Sequence, residues 1–218
     1  MITEKEYFDI KDHCRKGLLK YLEKAISAIP VIENPQILDA GCGSGVPALL
    51  LAEKFNGTIT AVDPDTKSMA MLEEKVQELN LAHQVNLYYS SIFDLDTDHH
   101  RFDLIIAEGL LNVTGFQKGF LGILRLLKKN GFIIIHDELR NRNAKTDFIE
   151  KNDCRIIDSF VLDEIIWWDD YYQCLESAIF SSSDKRSVRF FKSDLEEIES
   201  FRKDSSQFQS IYFVIERN

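Results

Sequence analysis

The sequence predicts a doubly wound α/β fold, in which helices cover both faces of a mostly parallel sheet. Between residues 36 and 136, short apolar segments alternate with longer segments whose apolar residues recur every three or four positions. This alternation is typical of strands that alternate with helices. A glycine-rich turn follows the first apolar segment, where sheets of this class bind nucleotides. A chain of 218 residues is long enough for one such domain with a sizeable core.

The spacing of apolar residues and the turn signals between them define the individual elements. Strands are expected at residues 36–40, 58–63, 85–89, 102–107, 132–136, 154–162 and 209–215. Helices are expected at residues 3–28, 46–55, 66–80, 116–127, 141–152, 167–176 and 193–203. Residues 128–131, two lysines followed by Asn and Gly, are expected to close the helix before the fifth strand.

Composition and charge exclude several classes of function. The hydrophobic fraction of 44% and the charged fraction of 28% are ordinary for a soluble enzyme. No apolar run approaches the roughly 18 residues of a membrane span. The formal net charge of −10 disfavours nucleic-acid binding, which needs a basic surface. We therefore expect a cytoplasmic protein without membrane association, and the sequence does not indicate its oligomeric state.

The cysteines indicate neither a metal site nor a disulfide framework. Cys14, Cys42, Cys154 and Cys174 are widely spaced, without a C-x-x-C motif or a histidine pair at ligand spacing. Such cysteines are usually buried, reduced thiols in a cytosolic protein. We therefore expect four reduced thiols and no bound metal.

The chain is organised around the turn Asp39-x-Gly41-x-Gly43-x-Gly45 at the end of the first strand. Glycine reaches positive φ and lets a ligand approach the main chain where a Cβ would block it. Free N–H groups at the start of the next helix face the same ligand. The dinucleotide fingerprint G-x-G-x-x-G requires Gly or Ala at its sixth position, where this chain has Val46.

This turn resembles the first motif of class I S-adenosylmethionine-dependent methyltransferases. Residues 102–105, Phe-Asp-Leu-Ile, are similar to the fourth-strand motif of the same family. The resemblance extends over nearly the whole chain and implies one methyltransferase domain over residues 1–218. It also implies a seven-stranded sheet of order 3-2-1-4-5-7-6, in which the seventh strand is antiparallel. Residues 1–30 would form a lid helix, and residues 163–205 a helical insertion beside the substrate pocket.

The resemblance also implies S-adenosylmethionine as the cofactor. Asp63 follows the second strand, where a carboxylate can accept hydrogen bonds from both ribose hydroxyls. Ser91 stands where the family commonly has an acid that contacts adenine, so this contact is expected to be weaker. The residues expected at the cofactor are Asp39, Gly41, Cys42, Gly43, Gly45, Asp63, Pro64, Ser91, Ile92 and Glu108.

The expected reaction is in-line transfer of the sulfonium methyl group to a small-molecule amine or hydroxyl. Positioning of the acceptor would supply most of the acceleration, and a general base is needed only if the acceptor arrives protonated. Glu108, His136 and Asp137 follow neighbouring strands and are the candidate catalytic residues. An acidic sheet edge would favour a neutral or cationic acceptor such as an amine.

Basic and aromatic residues offer further contacts to a substrate. Arg140, Arg142 and Lys145 could instead hold a carboxylate or phosphate of the acceptor. Aromatic side chains could form the lid or the walls of the substrate pocket, although those of the insertion could equally anchor it to the core. These aromatic candidates are Tyr7, Phe8, Trp167 and Tyr171.

Two other functions remain open at this point. A short NAD(P)-dependent oxidoreductase would use the same acid after its second strand, although no tyrosine late in the sheet is followed by lysine in the Tyr-x-x-x-Lys pair of such enzymes. A non-catalytic partner subunit that binds S-adenosylmethionine would show the same cofactor motifs, and the uncharged Ser91 agrees with this alternative.

Overall fold

A computed structural model describes residues 2–95, 100–181 and 189–218 of the chain. Within these ranges, a seven-stranded sheet of order 3-2-1-4-5-7-6 forms the centre. The first five strands are parallel to one another, and the seventh runs antiparallel between the fifth and sixth. The predicted fold class and strand order are confirmed. The strands are β1 (Gln36–Ala40), β2 (Thr58–Val62), β3 (Val85–Tyr88), β4 (Phe102–Glu108), β5 (Leu127–Glu138), β6 (Cys154–Leu162) and β7 (Ser210–Arg217).

Helices lie on both faces of this sheet. No helix within the described ranges is both long and apolar enough to cross a membrane. The helices are α1 (Glu4–Arg15), α2 (Leu19–Ser27), α3 (Val46–Lys54), α4 (Thr66–Glu78), α5 (Leu110–Thr114), α6 (Phe116–Leu124), α7 (Arg142–Glu150), α8 (Glu164–Trp167), α9 (Gln173–Ser181) and α10 (Lys192–Lys203). A π-helical turn, Trp168–Tyr172, joins α8 to α9.

The alternation of side chains along each central strand divides the core between the two faces of the sheet. On β4, Leu104 and Ile106 pack into the cluster beneath α2, α3 and α4. The intervening Ile105 and Ala107 pack into the opposite cluster, beneath α6 and α7. A third apolar cluster joins α1 to the insertion that contains α8, α9 and α10.

The helix expected over residues 3–28 is interrupted by a short 3₁₀ turn, Lys16–Leu18. Gly17 lies in this turn against the insertion, where an added Cβ would be 2.1 Å from the carbonyl oxygen of Asp170. This close approach of two main chains separates α1 from α2. The apolar period continues through the turn, which is why the sequence pattern predicts one continuous helix.

The prediction that residues 128–131 close a helix is wrong, because these residues form a bulge within β5. Leu127 pairs with Phe102, and pairing resumes between Phe132 and Leu104. The left-handed conformation falls on Asn130, with φ of 57°, and not on the glycine. The pairing of Leu127 with β4 therefore prevails over the local helix-ending signal.

The expectation of four reduced thiols is wrong for two of them. Cys14 of α1 and Cys174 of α9 form a disulfide, with Cα atoms 5.5 Å apart and a separation of 160 positions in sequence. Cys42 and Cys154 are buried free thiols, as expected. The spacing of the cysteines could not reveal the pair, because only the packing of α1 on the insertion brings them together.

We expect Gly17→Ala to lower the free energy of unfolding by about 2 kcal/mol, since the new methyl group must displace the Asp170 carbonyl. Chemical denaturation in urea measures this change. Lys16→Ala is the matched control, because Lys16 is an exposed neighbour in the same turn. Equal stability of the two variants would contradict a close contact at Gly17.

Candidate active site

The glycine turn leaves bare main chain at the carboxyl end of β1. Gly41, Gly43 and Gly45 all have positive φ, at 75°, 52° and 88°. A Cβ on Gly43 would project into open space, with no described atom within 4 Å. A Cβ on Gly45 would instead lie 2.1 Å from the Leu72 side chain of α4. Gly43 therefore keeps the surface of the turn open, whereas Gly45 allows α3 and α4 to pack closely.

Asp63 connects the end of β2 to this turn. Its carboxylate accepts a hydrogen bond from the Gly43 N–H at 3.0 Å and another from the Asp65 N–H at 2.8 Å. After β3, the Ser91 hydroxyl accepts from the Phe93 N–H at 3.3 Å. Ile92 is buried in the core. The Asp63 carboxylate and the Ser91 hydroxyl therefore each already accept hydrogen bonds from the main chain.

A cavity of about 280 Å³ lies between the glycine turn and α1. Helix α1 forms one wall through Phe8, Lys11, Asp12 and Arg15. The expected cofactor residues that line this cavity are Gly41, Cys42, Gly43 and Glu108. The others surround the turn without lining the cavity: Asp39, Gly45, Asp63, Pro64, Ser91 and Ile92.

Asp39 is a buried acid beneath the turn, and its Oδ2 atom has no hydrogen-bond partner within the described ranges. Burial, together with the nearby Glu108 carboxylate, raises the pKa of Asp39 to about 8. An unsatisfied buried carboxylate is costly. It fits a site whose ligand brings a positive charge.

Glu108 marks the end of β4 beside the turn. Its Oε1 accepts a hydrogen bond from the Tyr212 hydroxyl, and its Oε2 lies 4.0 Å from the Arg15 guanidinium. Burial raises the pKa of Glu108, and the charge of Arg15 opposes this shift. The carboxylate is thus shielded from water but retains a compensating cation.

His136 is the centre of an aromatic stack. Its ring lies 4.3 Å from Tyr212 and 5.7 Å from Trp167, nearly parallel to both. The Nε2 atom is 2.8 Å from the Ser210 hydroxyl, which also accepts from the Trp167 indole N–H at 3.0 Å. Burial, and secondarily the charge of Arg15, lowers the pKa of His136 to about 3. The imidazole is therefore neutral near pH 7.

Asp137 points away from Glu108 along the sheet edge. Its Oδ2 pairs with Lys145 Nζ at 2.6 Å, while its Oδ1 is buried without a hydrogen-bond partner in the described part of the chain. Lys145 also donates to the Glu138 carbonyl. Arg140 contacts the Glu138 carboxylate at 3.2 Å. Lys145 and Arg140, two of the candidates for anion binding, are therefore both paired with acids.

A second cavity of about 420 Å³ adjoins the first. Arg15 and Gly109 line both cavities and therefore mark their junction. The remaining residues that line the second cavity are Asn112, His136, Asp137, Glu138, Arg140, Trp167, Tyr172, Glu197, Ser200, Gln207, Phe208, Gln209 and Ser210.

The aromatic candidates divide between pocket and core. Trp167 lines the second cavity. Tyr172, at the end of the π-helical turn that follows Trp167, lines the same cavity. Tyr171 is buried in the cluster beneath α1. Tyr7 donates to Asp194 at 3.1 Å and packs on Phe191, so Phe8 is the α1 aromatic at the first cavity.

Sequence reasoning missed Arg15 and Tyr212, the two partners of Glu108. Arg15 lies on a helix 93 positions before Glu108, and Tyr212 lies on a strand whose apolar pattern indicates only burial. No local signal connects either residue with Glu108. The antiparallel return of β7 beside β5 and the position of α1 across the sheet edge create both contacts.

Comparison with known proteins identifies the fold family. A protein-family model described as "Methyltransferase domain" matches residues 33–179. The chain belongs to this methyltransferase-domain family. The resemblance to class I S-adenosylmethionine-dependent methyltransferases is thereby confirmed, and S-adenosylmethionine is the cofactor that the family uses.

Individual members of the methyltransferase-domain family are distant in sequence. A ubiquinone biosynthesis O-methyltransferase of Rickettsia akari is 31% identical over 110 residues, which are 50% of this chain and 42% of the relative. The chain spans about half the length of the curated relatives that it matches.

Solved structures share the fold of this methyltransferase-domain protein. The [4+2]-cyclase SpnF has a TM-score of 0.77 at 16% identity, over 91% of this chain and 80% of the other. Phosphoethanolamine N-methyltransferase 2 of Haemonchus contortus, in complex with S-adenosyl-L-methionine, has a TM-score of 0.76 at 15% identity, over 99% of this chain and 57% of the other. Likeness at this identity demonstrates the fold alone.

The residues in and around the glycine turn fit S-adenosylmethionine. The unpartnered Asp39 oxygen suits a cationic amino-acid group, and the open surface at Gly43 admits a ligand against the main chain. Asp63 lies at the strand end where a ribose would be held. The Ser91 hydroxyl already accepts a hydrogen bond from the Phe93 N–H. The polar residues that suit S-adenosylmethionine are therefore those near its amino-acid group and its ribose.

We expect Asp39→Asn to stabilise the ligand-free protein by several kcal/mol at pH 8. The native pKa of Asp39 is about 8 against an ordinary 3.8, so between these values the native state holds a proton that the unfolded state has lost. This contribution to stability is fully present below pH 4 and is lost as the pH rises through 8. Asparagine removes the dependence.

Urea unfolding at pH 5 and pH 8 measures this effect. Asp65→Asn is the control, since the Ser68 hydroxyl, with main-chain donors, lowers the pKa of Asp65 and reverses the sign of its contribution. If Asp39→Asn left the pH slope of stability unchanged, Asp39 would not be a buried, protonated acid.

Proposed function

We propose that this chain transfers the methyl group of S-adenosylmethionine to an amine or hydroxyl of a small molecule. The single observation that carries this proposal is the junction at Arg15 and Gly109, where the cavity beside the glycine turn adjoins the second cavity. A cofactor in the first cavity and an acceptor in the second would then meet beside Glu108. We further propose that residues 1–30 cover the cofactor and that residues 163–205 help to form the acceptor pocket.

S-adenosylmethionine supplies a methyl group that is already activated on a sulfonium centre. The task of the protein is therefore chiefly to orient the acceptor and exclude water. Trp167 and Tyr172 offer rigid walls for an acceptor, and α1 forms a wall of the first cavity. Two aromatic walls and a covering helix suit a reaction that depends on positioning.

Glu108 is the best-placed general base. Its carboxylate is held by Tyr212 and Arg15 and lines the cofactor cavity. A pKa raised by burial brings its basicity closer to neutral pH. His136, with a pKa near 3, is a weak base whose place in the aromatic stack fits a positioning role. Asp137 is held by Lys145 and fits a role in fixing the wall of the pocket.

The charges around the second cavity favour an acceptor without large net charge. Asp137 is offset by Lys145 and Glu138 by Arg140. Arg15 lies 4.0 Å from Glu108, which leaves Glu197, whose carboxylate accepts from the Tyr172 hydroxyl at 2.6 Å. A volume of about 420 Å³ suits a small molecule. A neutral, zwitterionic or singly cationic acceptor fits this lining better than a polyanion such as nucleic acid.

Two tests separate this function from its alternatives. We expect millimolar S-adenosylhomocysteine to raise the melting temperature by about 5 °C, through binding to the native state, and NAD to leave it unchanged. Incubation with S-adenosylmethionine and a panel of amines, alcohols and phenols should then give a product 14 Da heavier by mass spectrometry, a methyl group replacing hydrogen.

The pattern of results is diagnostic. A shift with NAD alone would favour an oxidoreductase. A shift with S-adenosylhomocysteine and no turnover of any acceptor would indicate a non-catalytic binding subunit. Turnover confined to anionic acceptors would contradict the proposed acceptor class.

We expect Glu108→Gln to lower kcat by about 100-fold, because the amide cannot accept the proton of the acceptor. Its affinity for S-adenosylhomocysteine, measured by calorimetry, should change far less than kcat. Glu216→Gln is the matched control, since Glu216 pairs with Arg155 and lies opposite Phe132, at the other end of the sheet. Equal activity of both variants would exclude Glu108 as the base.

A further inference from the structure

The Cys14–Cys174 disulfide joins the two segments that enclose the candidate site. Cys14 lies in α1 between Asp12 and Arg15, which line the first cavity, the proposed cofactor cavity. Cys174 follows the π-helical turn that carries Tyr172 to the second cavity. The disulfide therefore connects α1, which lies over the first cavity, to the segment that lines the second cavity.

Helix α1 crosses the cofactor cavity from the glycine turn to the insertion. On the first side, Asp12 accepts hydrogen bonds from the Ser44 hydroxyl and from Lys75. On the second side, Lys11 Nζ lies 2.8 Å from Asp194 of α10. The cavity beneath α1 measures about 280 Å³, at the lower limit of roughly 300 Å³ for small-molecule sites. Because α1 forms one wall of this small cavity, displacement of α1 would widen the entrance for a nucleoside cofactor.

The noncovalent contacts at the start of α1 are weak constraints. Lys5 pairs with Glu74 and Lys67 with Glu4, and all four side chains are about half exposed or more. Exposed pairs of this kind contribute little to stability. At the other end of α1, the disulfide is the covalent contact and fixes the helix directly to the insertion.

We propose that the Cys14–Cys174 pair is a redox-sensitive site that controls cofactor exchange. The oxidised pair holds α1 over the cavity and slows both binding and release. Reduction by a dithiol lets α1 swing away from the insertion and speeds both steps. This inference rests on the proposed function only in taking S-adenosylmethionine and its demethylated product as the ligands.

The two sulfur atoms differ in accessibility, and this difference sets the order of the reaction. Cys14 is 2% exposed, whereas Cys174 is partly exposed. A thiolate of the dithiol attacks the sulfur of Cys174, the S–S bond breaks, and Cys14 leaves as a thiolate that takes up a proton. The second thiol of the reductant then attacks the mixed disulfide and releases Cys174 as a thiol. Two electrons pass to the protein, and the reductant becomes a disulfide.

The test measures release of S-adenosylhomocysteine from the full chain by stopped-flow tryptophan fluorescence. Oxidised protein and protein reduced with dithiothreitol are compared, after alkylation and intact mass have counted two free thiols in the first and four in the second. We expect reduction to raise the dissociation rate at least about 10-fold. Cys174→Ser should release the ligand at the fast rate under both conditions.

Cys154→Ser is the matched control. Cys154 is a buried free thiol on β6, and its removal leaves the pair intact. This variant should keep the full difference between oxidised and reduced protein. Loss of that difference in Cys154→Ser would assign the redox response to another thiol and overturn the proposal.

The remaining outcomes are equally decisive. Equal release rates in oxidised and reduced wild-type protein would overturn the redox control and leave methyl transfer standing, even if reduction lowered the melting temperature. Absence of S-adenosylhomocysteine binding in both states would overturn the proposed function together with this inference. Circular dichroism verifies the fold of each protein, and the comparison of oxidised with reduced wild type decides the matter if Cys174→Ser fails to fold.

Discussion

The rest of the structure depends on the glycine turn at the carboxyl end of β1, where the main chain reverses direction without bulky side chains. Three glycines with positive φ make this turn: Gly41 lies against Leu110 and Gly45 against Leu72, whereas Gly43 faces open space. Because the turn is bare, the Asp63 carboxylate can accept a hydrogen bond from the Gly43 N–H. For the same reason, α1 can lie across it with only a narrow cavity between them.

The sheet and the surrounding helices contribute different groups to the candidate site. The sheet fixes the acids at its edge, and buried placement gives each of them a different electrostatic environment. Within the described ranges, Asp39 has no salt-bridge partner, Glu108 has a cation at 4.0 Å, and Asp137 has one at 2.6 Å. The helices outside the sheet supply cations and aromatic walls. Three carboxylates at one sheet edge therefore have different properties, as is common where a site must hold a cation and also accept a proton.

Much of the fold could be predicted from the sequence, because it depends on local periodicity. The glycine turn and the acids at the strand ends follow from patterns a few residues long. The strand order is instead implied by the resemblance of the glycine turn and the fourth-strand motif to class I methyltransferases. The features that could not be predicted depend on contacts between distant segments. The Cys14–Cys174 bond, the break at Gly17 and the partners of Glu108 all require α1 or β7 to lie beside residues far away in sequence. The bulge in β5 shows long-range pairing overriding a local signal.

The position of β7 has a consequence for biosynthesis. This strand is made last, yet it lies between β5 and β6 and delivers Tyr212 to Glu108 and Ser210 to His136. While a ribosome is still translating residues 163–209, the apolar segment Phe132–Ile135 has no antiparallel neighbour on that side. An uncovered strand of this kind readily pairs with foreign chains. The nascent polypeptide is therefore most exposed to misassembly just before its chemistry becomes possible, and a pause in elongation there would lengthen that interval.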